Sequence, residues 1–232
     1  MNNIEINNLN WSDIAMNLDK EGYALLPKLL STEKTEILSA HLQKADSRSE
    51  VLSLDALKLG RGERRNWADG LPDAFKDWPE ILYQHLAPIA SRWNHTMGLD
   101  SVFAATFAEY QHVASPLRGH TNVTSHNLGV GDFLPLHQDV GAEEFFPIQL
   151  LILLSEPAVD FTGGEFVMVE QRPRMQSRPM VLPLFKGDAA LICGAHRPFK
   201  GTKGFYRVNM KHAISRVNSG MRLSAELLFH TT

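Results

Sequence analysis

At 232 residues, 44% hydrophobic and 21% charged, the chain has the composition of a globular protein able to bury a sizeable core. No run approaches the roughly 18 apolar residues of a membrane span, and the N-terminus "MNNIEINNLNWSDIA" has no signal-peptide core. A single cysteine, Cys193 in "AALICG", excludes an intramolecular disulfide and reads as a small buried hydrophobe, so a cytoplasmic protein with no membrane partner is expected. The net charge of −3 conceals an asymmetry, because residues 171–222 hold eleven Lys or Arg against one acid, Asp188. That points either to a local positive field for anions or to a solvated face balanced by acids folded nearby.

In chain order, "EGYALLPKLL" predicts a short strand running into a turn. "STEKTEILSAHLQKA" predicts a helix with Ser31 and Thr32 as candidate caps and Ile37, Leu38 and Leu42 on its apolar side. "WPEILYQHLAPIASRWNHTMG" predicts a second helix, with Pro79 in its first turn, Gly98 as its stop, and Pro88 kinking or breaking it. After about Ser101 the pattern changes to short apolar runs between turn residues. "FPIQLLILLSEP" has the continuous apolar character of a strand buried on both faces. "GGEFVMVEQ", "RPMVLPLF", "AALICG", "GFYRVNMKHAISRV" and "MRLSAELLF" complete the set. Strands at this spacing without intervening helices predict a mainly β fold, a jelly-roll core with supporting N-terminal α-helices packed outside it. With no repeats or linkers, residues 1–232 read as a single domain, helical to about residue 100 and β-rich from about 101 to 232.

The chemistry begins at "LPLHQDV". In a strand alternate side chains share a face, so His137 and Asp139 point the same way with Gln138 opposite. In "GFYRVNMKHAISRV", Tyr206, Val208, Met210, His212 and Ile214 fall on one face and Arg207, Asn209 and Lys211 on the other, which places His212 inward. Two imidazoles and one carboxylate with open positions opposite form the facial triad of non-haem Fe(II) sites. A catalytic zinc on the same three ligands is the alternative, because ligand type alone does not separate the metals, whereas a closed structural zinc site wants four protein ligands. In "MRLSAELLF", Arg222 and Ser224 share a face. A buried arginine is expensive unless it meets an anion, so this pair is a ready grip for the far carboxylate of 2-oxoglutarate.

These residues resemble the 2-oxoglutarate/Fe(II)-dependent oxygenase superfamily, and more narrowly a family of bacterial oxygenases akin to prolyl 4-hydroxylases. The narrower likeness is carried by "GRGERRNWADGLPD", "LHQDV", "FPIQLLILLSEP", "DFTGGEFVMVEQRPRMQSRP" and "HRPFKGTKGFYRVNMKHAISRV", and it runs from about Leu59 to the end. It implies a double-stranded β-helix and Fe(II) held by His137, Asp139 and His212. It further implies 2-oxoglutarate chelating the iron and salt-bridged to Arg222 with Ser224 assisting, and O2 as the other co-substrate. No catalytic residue beyond the metal ligands is implied. The implied reaction converts 2-oxoglutarate to succinate and CO2 while hydroxylating a C–H bond. Halogenating relatives lack the carboxylate, so Asp139 favours hydroxylation or demethylation. Two departures stand out: Leu128 where many relatives place a tyrosine, and Leu223-Ser224 where relatives have His-Thr.

The substrate is less legible. A small molecule, amino acid or peptide side chain is the first expectation. A nucleic-acid base is the alternative, and it requires Arg172, Arg174, Arg178, Arg197, Lys200, Lys203, Arg207 and Lys211 to form one contiguous surface. The opposing expectation is that these cations are tied to Glu143, Glu144, Glu165 and Glu170. Asn209 and Gln149 are candidates for lining the cavity. A third reading is a catalytically silent metal-binding jelly roll used as a sensor.

Overall fold

The computed structural model describes residues 6–44, 49–67, 71–100, 102–113, 122–139 and 146–229. The N-terminal part supplies helices α1 (Trp11–Glu21), α2 (Thr32–Gln43), α3 (Trp78–Thr96) and α4 (Phe107–Val113), interleaved with strands β1 (Tyr23–Leu26), β2 (Ser49–Ser53) and β3 (Glu63–Trp67). Eleven further strands follow: β4 (Asn122–Leu128), β5 (Leu134–His137), β6 (Ile148–Leu153), β7 (Phe161–Gly163), β8 (Phe166–Gln171), β9 (Arg178–Leu182), β10 (Ala189–Cys193), β11 (His196–Gly201), β12 (Gly204–Ile214), β13 (Val217–Gly220) and β14 (Arg222–Leu228).

Seven strands form a large sheet in the order β1-β10-β6-β14-β4-β3-β2. The smaller sheet runs β11-β12-β8-β9, with β5 also paired to β12, and β13-β7 form a two-stranded ribbon. All recorded strand pairings are antiparallel. Leu153 and Arg222 of the large sheet and Phe166 and Leu182 of the small one line a shared cavity, so the two sheets face each other as a jelly roll. The core lies between them and is densest at β6, β10 and β14, in which every residue is buried. The continuous apolar run of "IQLLIL" follows from that position, since β6 is covered on both faces.

The helices pack outside, as their sequences predict. Ser31 caps α2, its hydroxyl accepting from the Lys34 N–H at 3.3 Å. Leu38 and Leu42 are buried while Ile37 is exposed, a correction to the predicted apolar side. The Trp67 indole ring lies 5.0 Å from the His41 ring and donates to the Ser125 hydroxyl at 3.0 Å, which seats α2 on the outer face of β3 and β4. Helix α3 runs unbroken through Pro88, whose ring is on the exposed side. There the hydrogen bond it cannot donate costs least, because water meets the released carbonyl. Of the two expectations at Pro88, a kink or a break, the break does not occur. Helical texture is also an incomplete description of the first hundred residues, since β1, β2 and β3 from that part extend the large sheet.

One buried ion pair ties the helical part to the small sheet. Arg197 is fully buried and donates to the backbone oxygens of Asp19 (2.7 Å) and Lys20 (3.0 Å) at the C-terminus of α1, and to the Glu170 carboxylate. The helix end presents exactly such unpaired carbonyls, so a guanidinium there serves as cap and cross-link at once. Removing one partner of such a pair leaves a buried charge. Glu170→Leu is expected to cost about 3 kcal/mol, read as a melting temperature lower by roughly 6–12 °C.

Candidate metal centre

Backbone pairing brings the three predicted ligands together. His212 of β12 lies directly opposite His137 of β5, and the register shifts just beyond, between His212 and Ile214. Asp139 follows β5 by two residues, its N–H donating to the Gly194 carbonyl at 3.3 Å. Gln138 points the other way and pins this turn, its amide donating to the carbonyls of Ala195 (2.8 Å) and Met210 (3.0 Å). One ligand atom from each of His137, Asp139 and His212 lies within 4.8 Å of the others. The His212 Nε2–Asp139 Oδ2 distance is 3.2 Å and the His137 Nε2–Asp139 Oδ1 distance is 3.7 Å.

The tautomers suit a metal. His137 Nδ1 is 2.9 Å from the Pro135 carbonyl, which accepts only if that nitrogen carries the proton, leaving the Nε2 lone pair toward Asp139. Phe166 stacks on His212 with ring centroids 5.7 Å apart and fixes its plane. His212 is fully buried, yet neither of its ring nitrogens has a hydrogen-bond partner, and Asp139 Oδ2 has none either. Buried polar atoms are nearly always satisfied, so the two that face each other, His212 Nε2 and Asp139 Oδ2, suit a shared cation. Burial works against ionising Asp139, but the two imidazoles outweigh it and hold the carboxyl below its usual range. For His137 burial dominates, aided by His212, and keeps the ring neutral; for His212 the Asp139 carboxylate overcomes burial and raises its basicity.

Arg222 and Ser224 occupy the inner face of β14, across from the triad. Arg222 is 1% exposed; its Nε donates to the Gly164 carbonyl at 2.8 Å and its Nη1 to the Ser224 hydroxyl at 2.7 Å. Among the described residues no carboxylate lies within salt-bridge distance of it. Burial lowers its pKa to about 10. Ser224 accepts from the arginine and so keeps its own hydroxyl hydrogen for a ligand. Gly164 makes room for this arrangement: a Cβ there would stand 2.9 Å from Arg222 Cδ, and its backbone adopts φ +63°. The glycine pair before β8 is thus required by the arginine as much as by the turn.

A cavity of about 350 Å³ touches Arg222 from the side of Phe161, Phe166, Leu184 and Phe185. It is lined mainly by apolar residues and includes none of the triad, so it is not where metal chemistry would occur. Leu128 sits directly opposite Arg222 in the β4–β14 register, so that neighbour of the arginine is apolar. Asn209 is exposed on the outer register of β12 and does not line the cavity, a correction, whereas Gln149 is buried with its amide toward Asp139.

The basic residues do not form the single free surface that nucleic-acid binding would most simply use. Arg197 and Arg172 both pair with Glu170, and Arg178 pairs with Glu21. Arg174, Lys200, Lys203 and Arg207 are exposed. Of the other expected partners, Glu165 accepts from the Ser215 hydroxyl, and Glu143 and Glu144 lie outside the described residues. Cys193 is buried, which pushes its thiol up to about 12 and leaves it inert. No helix among the described residues is long and apolar enough to cross a membrane.

Sequence reasoning passed over two ionisable residues in this barrel, His126 and Glu226. Both are buried on the inner face, with His126 Nδ1 3.7 Å from Glu226 Oε1. Burial, reinforced by Arg64 and Arg222, lowers the His126 pKa to about 3, while burial and then Asp139 raise that of Glu226 above 4.5. The stability contributed by His126 is present above pH 6.5 and is lost as pH falls toward 3. That contributed by Glu226 is present below pH 4.5 and is lost as pH rises through its raised value. From pH 4.5 upward, over the range in which both titrate, the two oppose each other. Glu226→Gln is therefore expected to steepen the acid-side fall in stability across that window by up to about 1.4 kcal/mol per pH unit, measured by denaturant melts.

A family model described as an oxygenase catalysing oxidative methylation of damaged DNA matches residues 62–232. Two uncharacterized proteins of Mycobacterium tuberculosis, from strains CDC 1551 / Oshkosh and H37Rv, are each 35% identical over 153 residues. The match spans 65% of this chain and 65% of the length of those relatives. Among solved structures, a Pseudomonas putida prolyl-4-hydroxylase superposes with a TM-score of 0.60 at 12% identity, covering 96% of this chain and 99% of that one. A 2OG-Fe(II) oxygenase family oxidoreductase from Burkholderia pseudomallei gives 0.54 at 15% identity, covering 95% and 91%. A Trichoplax adhaerens prolyl hydroxylase, in complex with a hypoxia inducible factor peptide fragment, gives 0.56 at 14%, covering 99% and 90%. At these identities the structural likeness speaks for the fold, the jelly roll of 2-oxoglutarate/Fe(II) oxygenases.

Proposed function

The chain belongs to the oxygenase family whose model matches residues 62–232, and from that premise we propose that it is a 2-oxoglutarate- and Fe(II)-dependent dioxygenase that hydroxylates a C–H bond. One observation carries this reading: three converging metal-ligand side chains, with His212 Nε2 and Asp139 Oδ2 buried and unpaired, share a barrel with a buried arginine that lacks an anionic partner among the described residues. Each feature is costly alone. A divalent metal and a dicarboxylate would relieve both together.

In this reading His137, Asp139 and His212 hold the iron. Arg222 and Ser224 bind the far carboxylate of 2-oxoglutarate, the guanidinium giving direction and charge and the hydroxyl a further donor. Bound iron supplies the activation of dioxygen that couples conversion of 2-oxoglutarate to succinate and CO2 with oxidation of the substrate. The protein's own part is positional. Pro135 orients His137 through its carbonyl, Phe166 orients His212 by stacking, and Gln138 holds the turn that carries Asp139. The carboxylate of Asp139 takes a coordination position that halogenation would leave to a halide, which favours hydroxylation or demethylation.

For the substrate, a peptide or small molecule is supported by the likeness to prolyl hydroxylases, one of them solved with a peptide. A nucleic-acid base is the second reading. It is favoured by the family's description and by the exposed Arg174, Lys200, Lys203 and Arg207, and it needs the base extruded toward the metal. The test follows succinate formation from 2-oxoglutarate by the anaerobically iron-loaded protein in air, with peptides, amino acids and methylated oligonucleotides offered in turn. Turnover stimulated by one of these classes identifies the substrate. Failure to bind 2-oxoglutarate in the presence of Fe(II) would overturn the oxygenase reading and favour the silent sensor.

A further inference from the structure

Four polar side chains on the inner face of the large sheet have no part in the reading above. Thr124, His126, Gln149 and Glu226 are each no more than 5% exposed. Thr124 Oγ1, His126 Nδ1, both amide atoms of Gln149 and Glu226 Oε1 lack hydrogen-bond partners. Single orphans occur in most proteins, but a group of them on one wall marks a place where a ligand completes the hydrogen bonding.

The register locates this wall. His126 lies opposite Ser224, and Thr124 lies opposite Glu226, which on its other side faces Leu151. Gln149 is two residues from Leu151 along β6 and shares its face. Arg222, Ser224 and Glu226 therefore follow one another along the inside of β14. Glu226 is at the end that feels the charges of Asp139 and His212, and the Gln149 amide faces Asp139. A ligand gripped by Arg222 and reaching the triad must pass along this wall.

We propose that His126, Gln149 and Glu226 bind the metal-bound head of 2-oxoglutarate, with a neutral Glu226 carboxyl donating a hydrogen bond to its near carboxylate. The inference rests on the function proposed above and adds residues to the same site. An ionised Glu226 would repel both Asp139 and the carboxylates of the ligand, so the neutral form is the one that can donate to them. Burial and Asp139 favour that neutral form. Neutral His126 and the Gln149 amide complete an uncharged wall that orients the head without competing for the metal's charge.

The experiment uses the full chain under anaerobic conditions, titrated first with Fe(II) and then with 2-oxoglutarate. Calorimetry gives both affinities, and the visible charge-transfer band of the Fe(II)–2-oxo acid chelate reports the geometry of the head. Glu226→Leu is expected to keep Fe(II) affinity, to weaken 2-oxoglutarate binding by about 10-fold or more, and to shift the band. Glu226→Gln retains a donor and is expected to bind within about 3-fold of wild type. Gln149→Leu provides an independent reading if Glu226→Leu does not fold, with weakening of about 5-fold or more expected. Unchanged 2-oxoglutarate affinity and an unshifted band in whichever leucine variant folds would overturn the proposal and assign the wall to buried water. A wild-type protein that binds Fe(II) but not 2-oxoglutarate would instead remove the proposed function, and this inference with it.

Discussion

Replacing Arg222 by methionine is expected to weaken 2-oxoglutarate binding by about two orders of magnitude or more while leaving the protein as stable as before, or more so. The guanidinium is 1% exposed and its partners are a carbonyl and a hydroxyl, neither of which carries charge. A buried cation so placed lowers stability in the free protein, and burial already lowers its pKa to about 10. Methionine fills similar space without that cost, as in proteins where buried ions are replaced by apolar residues. The bound state would lose a charge-assisted, two-point contact to a carboxylate, worth about 3 kcal/mol. Calorimetric titration of 2-oxoglutarate into metal-loaded protein, beside thermal melts of the free protein, measures both sides. Unaltered affinity would mean that Arg222 does not meet the co-substrate. A large fall in melting temperature would mean that it is a structural residue.

The Asp139→Ala variant is expected to lose divalent-metal affinity by at least about 100-fold, and with it all turnover. Asp139 is the only anionic member of the triad and contacts both imidazoles. Without it, two rings with centroids 4.3 Å apart face a metal with no compensating charge. The effect can be read without activity. Metal at about 100 times its dissociation constant adds roughly 2.7 kcal/mol to the wild type, an upward shift of about 5–10 °C in melting temperature. In the variant this shift should vanish at the same metal concentration, and chelator should have no effect. A variant that still melts higher with Fe(II) would place the metal elsewhere.

Much of the site was legible because it lies on strands, where alternation is a strict rule. The alternation of "YRVNMKHAI" turned His212 inward between Arg207, Asn209 and Lys211, and burial follows that pattern from Arg207 to His212. The same rule places Glu226 on the face shared by Arg222 and Ser224, so its inward position was available in "MRLSAELLF". What it meets there was not. His126 becomes its neighbour only through the pairing of β4 with β14, residues about a hundred positions apart in the chain. Gly164 shows the same limit: as half of a glycine pair it reads as a turn, and its close approach to Arg222 is a contact across 58 residues.

The helical half was less legible for a different reason. Strands β2 and β3 contain "SEVLS" and "ERRNW", which have no strong apolar alternation. They become strands because β4 offers them a sheet edge to extend, not because their own side chains demand it. Arg197 read as one of eight cations of a basic surface, yet it is fully buried against Glu170 and the end of α1. Charge counts record how many cations a segment holds but not which of them fold against an acid.

By itself, then, the sequence determined the main strands of the jelly-roll core, the inward face of the strands that carry the site, and the identity of His137, Asp139, His212, Arg222 and Ser224 as candidates. These depend on local periodicity and on the chemistry of single side chains, which neighbouring residues already express. Only the tertiary structure decided that the triad's ligand atoms converge within 4.8 Å, that Arg222 lacks an anionic partner among the described residues, and that buried polar side chains with unpaired atoms line the same inner face as Arg222. Those facts depend on strand pairing and on the facing of two sheets, and they arise when distant segments are brought together to bury a common core.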